Sequence, residues 1–550
     1  MQQEENFLRA RGYLTAGVIA KTAPEEFHQT SLKYLDATIK AITDDPSEAV
    51  QAACIRALQD FLPGLPSALT KAVQIPILNK LSDFIAAHDL RDQIENDDLK
   101  FTLADTLRDT IVVDHSVVLN SIALDVLFNI ASNGSDNFQL AMMVTETFED
   151  VVQFISEQAP NSYIALCEKV LPSLTGAIDV GDMTQQNSLT NLAADLLRAL
   201  AEHGSEPLPQ GFVNTVMPKL NRLLLSSKDH ELLPPATLAV RHMLAHDPTQ
   251  FLAWQDPQTG KGAVEATLVI IDHLLGGSVD DNAATEVGAL AAELVEKAGS
   301  EKLGPYLPQL LRAVAMRLAT AEKAQFIQSL IVVFARLTLI SAREVVDFLA
   351  QVEINGQAGL NVVLPKWLEN SVNFAGYDEI RQNIVALSKL YELEDPRIAQ
   401  VQVKGDLIIQ DTGRIKTRSQ SRQNPDQYTI IPAPLKIIKV LVEELSSALG
   451  GKELEAATAA ALADLESDDE NDDWEDLPSG TLDLSLGVTK QDLMGFAGEG
   501  AMAGGAARSR DDATQTFLLQ FFREAASKPS FQEVFAALTP GEQERLQSLG

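Results

Sequence analysis

The chain has 550 residues, 45% of them hydrophobic and only 6% aromatic, and its 43 basic against 77 acidic side chains give a formal net charge of −34. A surface field of that sign repels nucleic acid and attracts basic proteins, so direct nucleic-acid binding is disfavoured. The two cysteines, Cys54 and Cys167, lie far apart inside apolar helical patterns; they supply neither a disulfide framework nor a four-ligand zinc site, and a reducing compartment is expected.

From the N-terminus, MQQEENFLRARGYLTAGVIA has acids where a secretory signal needs bases and reads as an amphipathic helix. In DDPSEAVQAACIRALQDFLPGLP, Asp45 is the expected N-cap and Pro46 the first turn. The apolar stripe that follows is Val50, Cys54, Ala57, Leu58 and Phe61. The spacing i, i+3, i+4, i+7 then recurs in segment after segment, while strand-like alternation is nearly absent, which predicts an all-α chain.

A proline among apolar residues recurs in VQIPILNKL, VLPSLTGAI, VMPKLNRLL, YLPQLLRAV and VVLPKWLENSV. Proline is tolerated in the first turn of a helix or at a kink, so each marks where one helix of a unit begins or bends. About 46 residues separate Pro172 from Pro218, and about twice that separates Pro76 from Pro172 and Pro218 from Pro308. The interval matches the ~40–47 residue period of HEAT-type helix pairs. SVVLNSIALDVLFNIA and GAVEATLVIIDHLL are expected to form the two units without the proline. One helix pair cannot bury its apolar faces alone, so stacked pairs are predicted to share a core as a right-handed superhelical α-solenoid of HEAT repeats. The run LIVVFARLTLISA is interrupted by Arg336 and too short to span a bilayer.

The rhythm divides the chain into an array of about eight to nine helix pairs over 1–402, a basic inter-helix loop over 403–433 and a helical repeat over 434–463. An acidic, then Gly/Ala-rich, disordered insertion is expected over 464–511, with C-terminal helices over 512–550. The loop carries Arg414, Lys416, Arg418 and Arg422, and the insertion contains ESDDENDDWEDLPSG. Two polar insertions late in a regular array make that end the expected place for function beyond scaffolding.

No reaction chemistry is visible. AGEGAMAGG follows no strand and lies beside carboxylates that would repel phosphate. His242 and His246 share one helix face, half of a metal site with no second half. Neither a GxSxG nor a Cys–His constellation occurs, so no catalytic, cofactor-binding or metal residues are assigned and the chain is expected not to be an enzyme.

Three segments in order, GRIKTRSQSRQNPDQYTIIPAPLKIIKVLVEEL, DDENDDWEDLPSGTLDLSLGVTKQDLMGFA and FQEVFAALTPGEQERLQSL, resemble the importin-9 type of nuclear transport receptor in the importin-β (karyopherin-β) superfamily, its fungal members included. FLRARGYLTAGVIAK near the start looks like a helix found midway along such receptors, so the chain resembles a C-terminal half. The resemblance implies a HEAT-repeat import receptor shuttling between cytoplasm and nucleus. It implies as partners basic cargo proteins such as histones and ribosomal proteins, nucleoporin FG repeats, and the small GTPase Ran, whose main contacts come from N-terminal repeats in the superfamily. No cofactor, membrane or direct nucleic-acid partner is expected.

Charge and resemblance together assign cargo binding to Glu466, Asp468, Asp469, Glu470, Asp472, Asp473, Trp474, Glu475 and Asp476. The carboxylates supply field, and Trp474 is the rigid anchor that holds them in register. The alternatives are an exportin, or a HEAT scaffold of the phosphatase or vesicle-coat adaptor type.

Overall fold

A computed structural model describes residues 2–88, 97–134, 136–181, 184–408, 427–447 and 512–547. Two compact units make up the chain: the first is Met1–Glu286 with Glu293–Gly304, the second Val287–Ala292 with Pro305–Gly550. Both are built from stacked antiparallel helix pairs, and the fold is an all-α solenoid of the HEAT type. No described helix is long and apolar enough to cross a membrane.

In the first unit the helices fall into two layers. Gln2–Thr22, Glu48–Gly64, Asp97–Val113, Phe138–Gln158, Ser188–Glu202 and Leu233–His246 pack successively against one another in one layer. His28–Asp44, Gln74–Ala87, Pro160–Val180, Phe212–Ser226 and Ala263–Leu275 belong to the other. Pro76, Pro172 and Pro218 all sit in this second layer. In the second unit Pro308 and Pro365 likewise lie on two helices that pack together, Leu307–Thr320 and Gly359–Asn370. The recurring proline therefore marks this layer, where it bends or starts a helix; the opposite layer has Pro63 near the end of Glu48–Gly64 and Pro234 and Pro235 at the start of Leu233–His246.

The predicted stripe is core, with Val50, Cys54, Ala57, Leu58 and Phe61 all at 0% exposure. Asp45 is corrected. The helix begins at Glu48 with Ser47 at the N-cap position, so Pro46 precedes the helix. The Asp45 carboxylate accepts from the Ser47 N–H at 2.9 Å and is clamped by Arg9 through two bonds of 3.0 Å. An ion pair to the helix Gln2–Thr22, invisible in a local pattern, takes the carboxylate that the capping rule would have aimed at the helix.

Polar contacts between neighbouring pairs keep the period of the array. Lys169 donates to the Val118 carbonyl at 2.8 Å and Arg222 to the Ile178 carbonyl at 2.8 Å. Lys366 reaches the Ala321 carbonyl at 2.8 Å and Lys389 the Leu339 carbonyl at 2.6 Å. The sequence separations are 51, 44, 45 and 50 residues, one repeat in every case. Ile178, Ala321 and Leu339 lie where a helix ends or kinks, so the cations meet carbonyls that lack an intrahelical donor at the negative end of the helix dipole.

Among the described residues, two short antiparallel hairpins interrupt the helices. Glu353–Ile354 pairs with Gln357–Ala358 across Asn355 and Gly356, both at positive φ (51° and 81°), as a two-residue turn of this hand requires. Gln402–Leu407 pairs with Tyr428–Pro432, Val403 opposite Ile431. Both ends of the segment read as a loop are thus strand, and its cluster Arg414, Lys416, Arg418 and Arg422 lies outside the described residues. Gly405 lets the strands approach, because a Cβ there would stand 2.5 Å from Thr429 Oγ1.

Candidate functional site

The expected site, Glu466, Asp468, Asp469, Glu470, Asp472, Asp473, Trp474, Glu475 and Asp476, lies outside the described residues. The structure describes the frame on either side of it. The helix at 433–447 begins with Ala433 and Pro434 and is apolar nearly all round: Ile437, Ile438 and Leu441 are at 0% exposure, and Val442 and Leu445 at 2%. A helix of that pattern is core, not surface.

Lys439 stands in the middle of this helix at 6% exposure. Its ammonium lies 3.0–3.1 Å from both Asp406 oxygens and 2.8–3.0 Å from both Glu542 oxygens. Burial alone would favour the neutral amine, but the hydrogen bonds it donates to Glu542 and Asp406 outweigh it and raise the pKa. Glu542 also caps its own helix, Pro540–Gln547, accepting from the Thr539 N–H at 2.8 Å in a Thr-x-x-Glu box. One lysine thereby ties the hairpin, the helix before the insertion and the last helix together. The sequence reading missed this clamp. Its signals were a lysine inside the apolar run LKIIKVLV and the box Thr539–Glu542.

On the far side of the insertion, Asp512–Ala526 carries an aromatic chain. Ring centroids are 6.0 Å apart for Tyr391–Phe521, 5.3 Å for Phe521–Phe522 and 6.3 Å for Phe522–Phe531. Ser530 donates to Glu394 at 2.7 Å, so the terminal helices are held to the hinge after Tyr377–Glu392 by packing and by hydrogen bonding. Near that hinge Arg397 bridges Asp395 and Asp347, each at 2.6 Å, and holds the Asp395 carboxyl down at about 2.

The remaining reactive residue types are occupied structurally. His242 and His246 meet edge to face at 6.0 Å; burial lowers both and brings His242 to about 4, so both are neutral at pH 7. Among the described residues no group of His, Cys, Asp or Glu could complete a metal site around them. Burial pushes the thiols of Cys54 and Cys167 up to about 12, which removes the thiolate that nucleophilic chemistry needs.

The family model for importin-9 central HEAT repeats matches residues 1–135. The Schizosaccharomyces pombe protein named Importin subunit beta-5 is 29% identical over 508 residues, covering 91% of this chain and 48% of its own length. Importin subunit beta-5 of Saccharomyces cerevisiae is 29% identical over 64% of this chain and 35% of its own length. Importin-9 of Drosophila melanogaster is 26% identical over 60% and 32%. The chain spans about half the length of the first of these relatives and about a third of the other two. In sequence, the chain is similar to importin-9 and to the fungal importin subunit beta-5.

Proposed function

We propose that the chain is the cargo-holding part of a nuclear transport receptor that carries basic proteins, histones and ribosomal proteins among them, from cytoplasm to nucleus. The observation that carries this reading is the alignment of 91% of the chain with a protein named as an importin, joined to a net charge of −34. Nucleoporin FG repeats and Ran are the partners that such a receptor needs for passage and release. The role is one of binding, not of catalysis.

The carboxylates from Glu466 to Asp476 are the proposed shield for the cargo's basic face, with Trp474 as the anchor. Exposed ion pairs contribute about 0.2–1 kcal/mol each and weaken with salt, so the run by itself raises the encounter rate more than it holds cargo. A packed aromatic holds better. The test is retention of purified histones against an acidic control protein at two salt concentrations, with and without Ran in its GTP form. An import receptor retains the histones without Ran and releases them with it; an exportin requires Ran; a scaffold of another kind ignores both. Within that assay Trp474→Ala should weaken binding more than any single carboxylate neutralisation, and equal affinity for wild type and Trp474→Ala removes the anchor.

A further inference from the structure

The terminal helices enclose an apolar hollow of about 320 Å3. Leu519 and Phe522 of Asp512–Ala526 wall it, with Phe531 and Phe535 of Pro529–Ala536 and Leu546 of Pro540–Gln547. Phe522 and Phe531 form its buried floor, while Leu519, Phe535 and Leu546 stay half-buried around the opening. The helix Pro540–Gln547 buries none of its side chains fully, so it is held by the polar contacts of Glu542 and Arg545 and not by packing. Arg523 is the one charged side chain of the lining; it is exposed and makes no ion pair among the described residues.

Large apolar side chains accompanied by a single carboxylate are the complement of this hollow. The chain carries such a segment close by, in VTKQDLMGFAGE from Val488 to Glu499. Phe496 precedes Asp512 by 16 residues, a span of at most about 55 Å. Leu519 stands only about 10 Å further along the helix that begins there, so the hollow is well within reach. Between residues 448 and 511 the aromatic side chains are Phe496 and Trp474. Trp474 has seven carboxylates between Asp468 and Asp476 around it, far more than one arginine can offset, whereas Phe496 has Leu493, Met494 and one acid, Asp492, on its N-terminal side.

We propose that this hollow is the docking site for residues 488–499 of the same chain, with Phe496 seated among the rings of Phe522, Phe531 and Phe535, Leu493 and Met494 beside it at the opening, and Asp492 on Arg523. A ring among rings gains edge-to-face contact beyond the area it buries. Because the segment is tethered to the helix that walls the site, its effective concentration there is on the order of millimolar, and a contact too weak to persist between separate molecules is populated within one.

Docking gives the carboxylate run at 466–476 a second point of attachment. Ser447 ends the described helix on its N-terminal side, and the hollow would hold the chain on its C-terminal side, both within the cluster that Lys439 ties together. The run is thereby kept beside the terminal helices, and the last helix gains the apolar contact that its own side chains do not supply. The inference stands on the hollow and the segment, not on what the receptor carries.

The test places a photoreactive phenylalanine at position 496 of the full chain. Crosslinks should form within one molecule and fall on 519–535 and 546–547. Their yield should drop about fivefold with Phe535→Ser or with Arg523→Glu, and Asp492→Arg should restore it in the Arg523→Glu background. A fluorescein-labelled peptide of residues 488–499 should bind the Phe496→Ser chain about tenfold more tightly than wild type, in which the tethered copy competes. Thermal unfolding checks that the variants remain folded. Crosslinks that miss the hollow overturn the proposal, as does a crosslinked dimer, which would make a second copy the occupant. Yields unchanged in Phe535→Ser and Arg523→Glu with melting unchanged, or a peptide that Phe496→Ser binds no better than wild type, also overturn it. Histone retention is read in a separate assay, so failure here leaves the transport reading standing.

Discussion

The array of helix pairs and the cluster that closes the described chain hold together in different ways. In the array, side chains reach the neighbouring pair across 44 to 51 residues of sequence. In the closing cluster, Lys439 meets Glu542 across 103 residues, Arg545 meets Ser446 across 99, and Ser530 meets Glu394 across 136. Nearest-neighbour contacts make stability a sum of local terms, whereas a closing contact ties distant segments into one cooperative element. A long insertion is tolerated within the closing cluster because loop-closure entropy grows only slowly with length.

The comparison breaks most visibly in the array core. Phe61→Ala should cost about 3–5 kcal/mol, with hydrogen exchange accelerated in Gln2–Thr22, Glu48–Gly64 and Asp97–Val113 and unchanged in the closing cluster; a uniform increase would show that the array is not locally coupled. Lys439→Ala should cost about 2–4 kcal/mol by leaving two carboxylates facing each other. Its exchange signature should be the converse, affecting 402–407, 433–447 and 512–547 together. Gly405→Ala sharpens the same contrast at about 1–2 kcal/mol, because the hairpin must part for the new Cβ and should release the Asp406 arm alone.

Asp195→Asn acts in the opposite direction. Its carboxyl sits at about 6 in the folded chain against an ordinary 3.8, so the native state holds the proton more tightly than the unfolded state does. Stability from this group is therefore present below the unfolded value and is lost as pH rises from about 4 to about 6. The amide should gain about 1–2 kcal/mol at pH 7, and that gain should vanish at pH 4 in paired thermal melts.

Much of the array was legible in the sequence because its physics is local. The stripe from Val50 to Phe61 needs only helical periodicity, and the recurring prolines mark helix starts and bends because a missing N–H is a property of the residue itself. What escaped depends on partners far away. Asp45 follows a capping rule until Arg9, 36 residues earlier, claims it. The strands at 402–407 and 428–432 share no tight turn, so nothing in either run announces the other. The hairpin at Asn355–Gly356 was not read from the sequence, because its flanking strands of two residues each are too short to show alternation. Lys439 was readable as an anomaly, a charge inside an apolar run, although its partners were not.

The lysines that cross from one pair to the next have an effect beyond joining helices. Lys169, Lys366 and Lys389 point their ammonium groups at uncharged carbonyl oxygens, so none of the three offsets an acidic side chain. In a polypeptide already poor in positive residues, these three cations do nothing to damp the self-repulsion of the surface at low ionic strength. Sodium chloride should therefore raise the melting temperature of the free protein while weakening the binding of basic guests proposed above, two opposite responses to the same added ion.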